Sequence, residues 1–315
     1  MRHADTIART MPAVTAESAR TSPHATLPPP DRYAVLGHPV AHSQSPFIHA
    51  EFARQTGQRL DYGRIECPLQ AFEATLRAFI ATADPAAGLG PVRGCNITVP
   101  FKFQVLPLAQ TVTPRAALAQ AANVLCLEPD GWTADNTDGI GLVRDLQGPA
   151  GRSLAGQRLL LIGAGGAASG VLGPLIEAGC AHITVANRTP DKAAALVERH
   201  QHWAQHHGTQ LQASGLADCG EVFDVVLNSS ASSLAGGDVP VHARVLRPGT
   251  LAVDLMYGPT AAGFLTWAGA HGAVGRDGLG MLVEQAAEAF ALWRGVRPHT
   301  APVLAALRAR LAAPG

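Results

Sequence analysis

Residues 159–170, Leu159-Leu160-Leu161-Ile162-Gly163-Ala164-Gly165-Gly166-Ala167-Ala168-Ser169-Gly170, decide the fold class of this chain. An apolar run meets a glycine-rich turn there, and small residues suited to a helix start follow. Gly163, Gly165 and Gly166 let the backbone bend sharply and approach a phosphate with no Cβ in the way. The N–H groups opening the next helix would face that phosphate, and the helix dipole favours its negative charge. Ala164 and Ala167 complete the same turn.

The residues that follow make this a β–α–β unit. Val171 to Gly179 reads as a helix ending at the glycine, and His182-Ile183-Thr184-Val185-Ala186 as a second strand. Units of this kind that bind NAD usually carry an acidic residue at the end of that second strand, against the ribose 2′-hydroxyl. Here the place holds neutral Asn187, followed by Arg188 and Thr189, with Lys192 close behind. A carboxylate would repel a 2′-phosphate, whereas a guanidinium forms a charge-assisted fork with it. The expected cofactor is therefore NADP rather than NAD. The plain alternative is an arginine that only caps a surface turn.

At 315 residues the chain has room for a sizeable core and two domains. Lys plus Arg and Asp plus Glu each number 24, so no net field favours nucleic acid or an anionic membrane. No apolar stretch reaches the length of a membrane span. Five scattered cysteines, with no C-x-x-C pair, suggest reduced thiols in a cytoplasmic protein and give no zinc pattern. His200, His202, His206 and His207 have a metal-like composition, but their spacing fits a solvated helix end at least as well, and no metal is assigned.

Residues 1–30 are rich in Thr, Ser, Ala and Pro and end in Leu27-Pro28-Pro29-Pro30. They lack an apolar secretory segment, and Asp5 and Glu17 argue against a transit peptide. A disordered tail is expected.

From Tyr33 the pattern alternates. Strands are expected at Tyr33–Leu36, Tyr62–Cys67 and Gly94–Val99, and helices near Pro46–Gly57 and Leu69–Ala83. A helix over Pro114–Ala122 precedes a hairpin of Val124–Glu128 with Gly131–Thr133. A helix from about Asp138 leads through Gly148-Pro149-Ala150-Gly151 into the glycine-rich unit. Later strands fit Val222–Leu227 and Thr250–Leu255. After Gly280, Met281, Leu282, Gln285, Ala286, Ala289, Phe290 and Trp293 follow a helical spacing of largely apolar groups. No internal repeat is present.

Several separate motifs then occur in one order. Gly37-His38-Pro39-Val40-Ala41-His42-Ser43-Gln44-Ser45-Pro46-Phe47-Ile48-His49 resembles the opening signature of shikimate dehydrogenases. So do Asn96-Ile97-Thr98-Val99-Pro100-Phe101-Lys102, Asp135-Asn136-Thr137-Asp138-Gly139 and the run from Gly278 to Ala286. The resemblance covers about residues 33–295. It implies two α/β domains with a cleft between them: a substrate domain of 31–137 plus 279–315, and a Rossmann-like NADP-binding domain of 138–278. The helix after Gly280 would then pack back on the first domain.

The resemblance also implies roles. Lys102 becomes the catalytic lysine and Asp138 its partner, a pair suited to ketone–alcohol interconversion. Asp138 also stands where it could cap a helix. Ser43 and Ser45 alternate about Gln44, so an extended segment would turn both hydroxyls to one side, where they would hold a substrate carboxylate. Thr98, Asn123 and Gln285 map to positions that contact the substrate's ring hydroxyls, and Tyr257 to a tyrosine in the cleft. Leu255 and Gly278 join the cofactor set. His42 and His49 are expected to be structural, satisfied by local backbone.

Departures are Ala50, Val124, Asn228-Ser229-Ser230-Ala231 and Ala261, none at an assigned catalytic group. The expected activity is reversible reduction of 3-dehydroshikimate to shikimate with NADPH, in aromatic amino-acid and chorismate biosynthesis, by a monomer or homodimer acting on small molecules. Two rivals stay open: a paralogue for quinate or another analogue, using NAD, and a silent NADP-binding regulator. The regulator would be marked by loss of Lys102 or Asp138, and both are present.

Overall fold

The computed structural model describes residues 28–230 and 239–313. Residues 1–27, most of the expected tail, lie outside the described residues, as does Ala231. Pro28 belongs with the body, since its carbonyl accepts a hydrogen bond from Arg59 at 2.9 Å.

Two six-stranded sheets carry the chain. The first comprises β1 (Asp31–Gly37), β2 (Leu60–Glu66), β3 (Val92–Ile97), β4 (Thr111–Val112), β5 (Val124–Glu128) and β6 (Gly131–Asp135), ordered β2-β1-β3-β5-β6-β4. β1 pairs in parallel with β2 and β3, while the β5–β6 hairpin runs antiparallel. Its helices are α1 (Ser45–Thr56), α2 (Phe72–Ile80) and α3 (Pro114–Ala119).

After α4 (Asp138–Gln147) the second sheet is wholly parallel: β7 (Arg158–Ile162), β8 (His182–Ala186), β9 (Gln210–Ser214), β10 (Val225–Asn228), β11 (Leu251–Asp254) and β12 (Val274–Arg276), ordered β12-β11-β10-β7-β8-β9. The helices here are α5 (Gly166–Glu177), α6 (Pro190–His206) and α7 (Ala262–Ala270). The chain then returns through α8 (Leu279–Arg294) and α9 (Thr300–Ala312).

The pleat of β7 explains why its run is apolar throughout. Leu159 and Leu161 pack on the α5 side with Val171, Leu172 and Leu175, while Leu160 and Ile162 pack on the opposite side with Phe264 and Ala268. Each fully buried leucine contributes about 1.5–3 kcal/mol. β7 also sits where the sheet order reverses, with β8 on one side and β10 on the other. That is where ligands bind in open parallel sheets.

α8 ties the lobes together. Leu279, Val283, Ala286 and Phe290 pack with Ile48 and Phe52 of α1, and with Val303 and Leu307 of α9. Met281 instead joins Leu142 and Leu146 of α4 in the second lobe's core. The returning helix thus packs on α1 of the first lobe and equally on α4.

Some boundaries differ from the sequence reading. α5 begins at Gly166, inside the glycine run, which brings its N-terminus directly beneath the turn. β10 starts at Val225 rather than Val222, because Val222 is exposed and has φ +53°. Asp138 is the first residue of α4 and does not cap it; Thr137 holds the cap position. His200 is wholly buried, not on a solvated helix end, because Ala193, Leu196, His200 and Ala204 form the inward stripe of α6. Its Nδ1 meets the Leu196 carbonyl at 2.9 Å, and His202 and His206 are exposed. Among the described residues no group of three or more His, Cys, Asp or Glu could hold a metal ion. None of their helices is long and apolar enough to cross a membrane.

Candidate active site

β3 ends at Ile97, and the chain turns through a short 3-10 helix, Phe101–Phe103, that carries Lys102. This turn is fixed from behind: the Ala122 amide donates to the Lys102 carbonyl at 2.9 Å, and Phe101 stacks on Phe72. Asp138 comes from the start of α4, where the positive end of the helix dipole favours a carboxylate. The two side chains meet at 2.5 Å between Lys102 Nζ and Asp138 Oδ2, with 14% and 6% of them exposed.

The Asn123 amide holds the other carboxylate oxygen. Asn123 Nδ2 lies 2.9 Å from Asp138 Oδ1, 3.0 Å from Thr137 Oγ1 and 3.0 Å from Gln285 Oε1. Its two hydrogens serve only two of these acceptors at once, which leaves capacity for an incoming hydroxyl. Asn123 Oδ1 accepts from the Thr137 amide at 2.7 Å, and Gln285 Nε2 donates to the Leu282 carbonyl at 2.9 Å. Lys102, Asn123, Asp138 and Gln285 therefore form one bonded group drawn from four separate segments. Thr98 follows directly on β3 and is half-buried. Its carbonyl accepts from the Phe101 amide at 3.0 Å, which closes the turn leading to Lys102.

Ser43 and Ser45 come together as expected, but by another route. The segment turns into α1 instead of running extended, and Ser43 Oγ donates to Ser45 Oγ at 3.2 Å. Tyr257 follows β11 and packs on the α1–α8 cluster, so the second lobe contributes it to the first lobe's edge.

Tyr62 and Asn96, which sequence reasoning missed, link the serines to the lysine group. Tyr62 donates from its hydroxyl to Asn96 Oδ1 at 2.5 Å, and Asn96 Nδ2 donates to the Asn123 carbonyl at 3.1 Å. Burial pushes the Tyr62 phenol well above its ordinary range, with the Ser45 hydroxyl working against that rise. Asn96 lies within the Asn96–Lys102 motif, two residues before Thr98, and that alternation was the signal available. His49 stacks on Tyr62 with ring centroids 4.2 Å apart. It is buried, and neither ring nitrogen has a backbone partner among the described residues, contrary to expectation; burial pushes its pKa down to about 3, with the Asn96 side chain working against that fall.

The glycine turn closes the other side. Gly163 has φ +111°, and a Cβ there would lie 2.7 Å from Ser229 Oγ on the neighbouring strand's exit. A Cβ at Gly170 would lie 2.9 Å from the Asn136 amide and 3.1 Å from Asp138 Oδ2, so α5 approaches the acid as closely as backbone permits. Lys102 itself packs beside Gly166, its Cβ and Cδ each 3.7 Å from where a Cβ would stand. Among the described residues nothing lies within 4 Å of where a Cβ at Gly165 would stand, and no side chain caps α5. An anion would thus meet free N–H groups, which fits a dinucleotide's phosphates.

At the end of β8, Asn187 Nδ2 donates to the Thr189 carbonyl at 2.9 Å. Arg188 and Lys192 are exposed and form no ion pair among the described residues. They fit a 2′-phosphate. The Leu255 amide donates to the Asn228 carbonyl, and the Gly278 amide to the Met256 carbonyl, each at 2.9 Å, setting both beside the β10 and β11 ends.

With this geometry in place, sequence comparison identifies the chain's relatives. The profile of the shikimate dehydrogenase substrate binding domain matches residues 35–125. Those of shikimate/quinate 5-dehydrogenase and the shikimate 5′-dehydrogenase C-terminal domain match 146–238 and 278–308. The chain belongs to the shikimate dehydrogenase family. It is 64% identical to a shikimate dehydrogenase (NADP+) of Methylibium petroleiphilum, over 89% of this chain and 94% of that one. It also resembles an Ael1 enzyme from Pseudomonas putida, with TM-score 0.78 and 43% identity over 90% and 99% of the two chains. A third similarity is to the shikimate 5-dehydrogenase of Thermus thermophilus in complex with NADP(H) and shikimate. There the TM-score is 0.75 and the identity 32%, over 89% and 99% of the chains. The family's two-lobed α/β architecture is the one described above.

Proposed function

We infer that this chain is an NADP-dependent shikimate dehydrogenase, an oxidoreductase of aromatic amino-acid biosynthesis that interconverts 3-dehydroshikimate and shikimate. The observation that carries the reading is the Lys102–Asp138 pair, buried at the point where α5 brings the glycine turn against the first lobe. When bound, NADPH supplies the hydride that reduces the carbonyl carbon.

The residues assigned to the site do the rest. The Lys102 ammonium delivers a proton to the carbonyl oxygen as it becomes an alcohol, and takes it back in the oxidation direction. Asp138 fixes that ammonium and accepts a hydrogen bond from a neighbouring substrate hydroxyl. Ser43 and Ser45 donate to the substrate carboxylate. Thr98, Asn123 and Gln285 bond the ring hydroxyls, so an analogue lacking one leaves a buried polar group unpaired, and Tyr257 lines the substrate's side of the cleft. Gly163, Ala164, Gly165, Gly166 and Ala167 cradle the pyrophosphate. Asn187, Arg188, Thr189 and Lys192 take the 2′-phosphate side, and Leu255 and Gly278 border the nicotinamide end.

Residues 31–137 with 279–315 work as the substrate unit and 138–278 as the nucleotide unit, a division supported by the two sheets. The chain acts on small molecules as a cytoplasmic monomer or homodimer, in keeping with its five free cysteines. Initial rates with shikimate and quinate, each with NADP+ and NAD+, test the assignment. Shikimate with NADP+ should give the highest kcat/KM; preference for quinate with NAD+ would overturn it.

A further inference from the structure

Arg64 lies on β2 with its side chain exposed. Its Nε and one Nη both donate to the Ser43 carbonyl, at 2.8 and 2.6 Å. That carbonyl belongs to the turn presenting the Ser43 and Ser45 hydroxyls, so the guanidinium anchors the backbone beneath both. The nearby carboxylate, Glu66, is already engaged: His38 Nδ1 meets it at 2.6 Å and the Val40 amide at 2.9 Å. Arg64 forms no ion pair among the described residues. A guanidinium carries five N–H donors, and the Ser43 carbonyl takes two of them.

A second-lobe group feels the same charge. Burial raises the Tyr257 phenol above its ordinary range, and the Arg64 charge opposes that rise. The cation therefore sits near the contributions both lobes make to this end of the cleft. Serine hydroxyls and a phenol are neutral, and alone they would distinguish an acid from its ester weakly.

We propose that Arg64 is a positioning and charge-selecting residue, which fixes the Ser43–Ser45 turn and makes this end of the cleft prefer substrates bearing a carboxylate. The proposal rests on the reading that these serines hold the substrate carboxylate. Because the side chain is exposed, its field is screened by salt and acts on substrate capture, not on the chemical step.

Rates with shikimate and with its neutral methyl ester, at low and high salt, test this for the wild type, Arg64→Gln and Arg64→Lys. Arg64→Gln should raise KM for shikimate roughly tenfold, as loss of a charge-assisted contact does, with kcat changed less than about twofold. The KM for NADP+ should stay unchanged, the ester should lose far less than the acid, and the salt dependence with shikimate should flatten. Arg64→Lys should keep the salt dependence but recover KM only in part, since an ammonium cannot make the same fork. Equal losses for acid and ester, or a parallel rise in KM for NADP+, would show a merely structural role and overturn the proposal. Should Arg64→Gln fail to fold, the acid-to-ester contrast in Arg64→Lys decides in the same way. A wild type that uses the ester as well as the acid would sink the underlying reading of the serines, separately from any effect at Arg64.

Discussion

The two regions of the proposed site are built on opposite plans. In one, Lys102, Asp138, Asn123 and Gln285 are buried or nearly so and already bonded to one another. In the other, Arg188 and Lys192 stand exposed. The first plan suits chemistry, because the groups that move a proton must be oriented before the substrate arrives. The second suits affinity and discrimination, because an exposed guanidinium gains its partner only from the ligand. Substitutions in the first region should therefore damage turnover and stability together, and those in the second binding alone.

The largest effect expected is at Lys102. Lys102→Ala should lower kcat by about 10²–10⁴-fold while leaving the Kd for NADP+ nearly unchanged, as single-turnover rates and calorimetry would show. Wild-type turnover would remove its role. Asp138→Asn comes next. It leaves a buried ammonium without its carboxylate, and breaking such a pair costs about 3–5 kcal/mol. Urea denaturation should show that loss alongside the fall in kcat; full stability would mean that the pair is solvated. Arg188→Ala should weaken NADP+ by about 1.5–3 kcal/mol and NAD+ hardly at all. An unchanged preference in calorimetry would place the 2′-phosphate contact elsewhere.

Acid stability separates buried from exposed groups more gradually. Burial pushes His49 down to about 3 and His200 to about 4. Both lie below the unfolded value of about 6.5, so on acidification the unfolded chain takes up protons first. Their neutral burial is fully compatible with stability above that value. It is lost as pH falls from about 6.5 toward the folded values, by at most about 1.4 kcal/mol per pH unit for each histidine. Denaturant titrations of His49→Phe across this range should show a shallower slope; an unchanged slope would mean that water reaches the ring.

The smallest effect concerns Glu288. Burial raises its carboxyl, but Arg144, Arg115 and Arg297 outweigh it and hold the pKa below the ordinary value. That stabilisation is present above the unfolded carboxylate pKa and disappears as pH falls through the folded one. Glu288→Gln should flatten this lowest part of the acid limb in the same denaturant titrations.

Much of the fold was legible because its central elements repeat one signal. β7 is apolar throughout because both its faces are covered, and α8 shows helical spacing because it packs on both lobes. Edge strands lack that signal. β9 buries only Leu211, β12 contains Gly275 and an exposed Val274, and β4 has two residues. In the site, Lys102, Asp138 and the serines stood out through the ordered motifs. Tyr62, Asn96 and Arg64 did not, because their meaning depends on register. β1 pairs Val35 with both Arg64 and Asn96 and sets Tyr33 opposite Tyr62, contacts between strands far apart in the chain. The misread His200 was a different matter: its place on the inward stripe of α6 was written in the spacing of Ala193, Leu196 and Ala204.

A crystal structure with NADP+ and shikimate bound tests the central claim most directly. The account predicts Lys102 Nζ and an Asp138 oxygen within hydrogen-bond reach, about 2.6–3.2 Å, of adjacent substrate hydroxyls, with the nicotinamide ring on the facing side. A substrate bound away from that pair, or one whose reacting carbon faces a different acid, would contradict it.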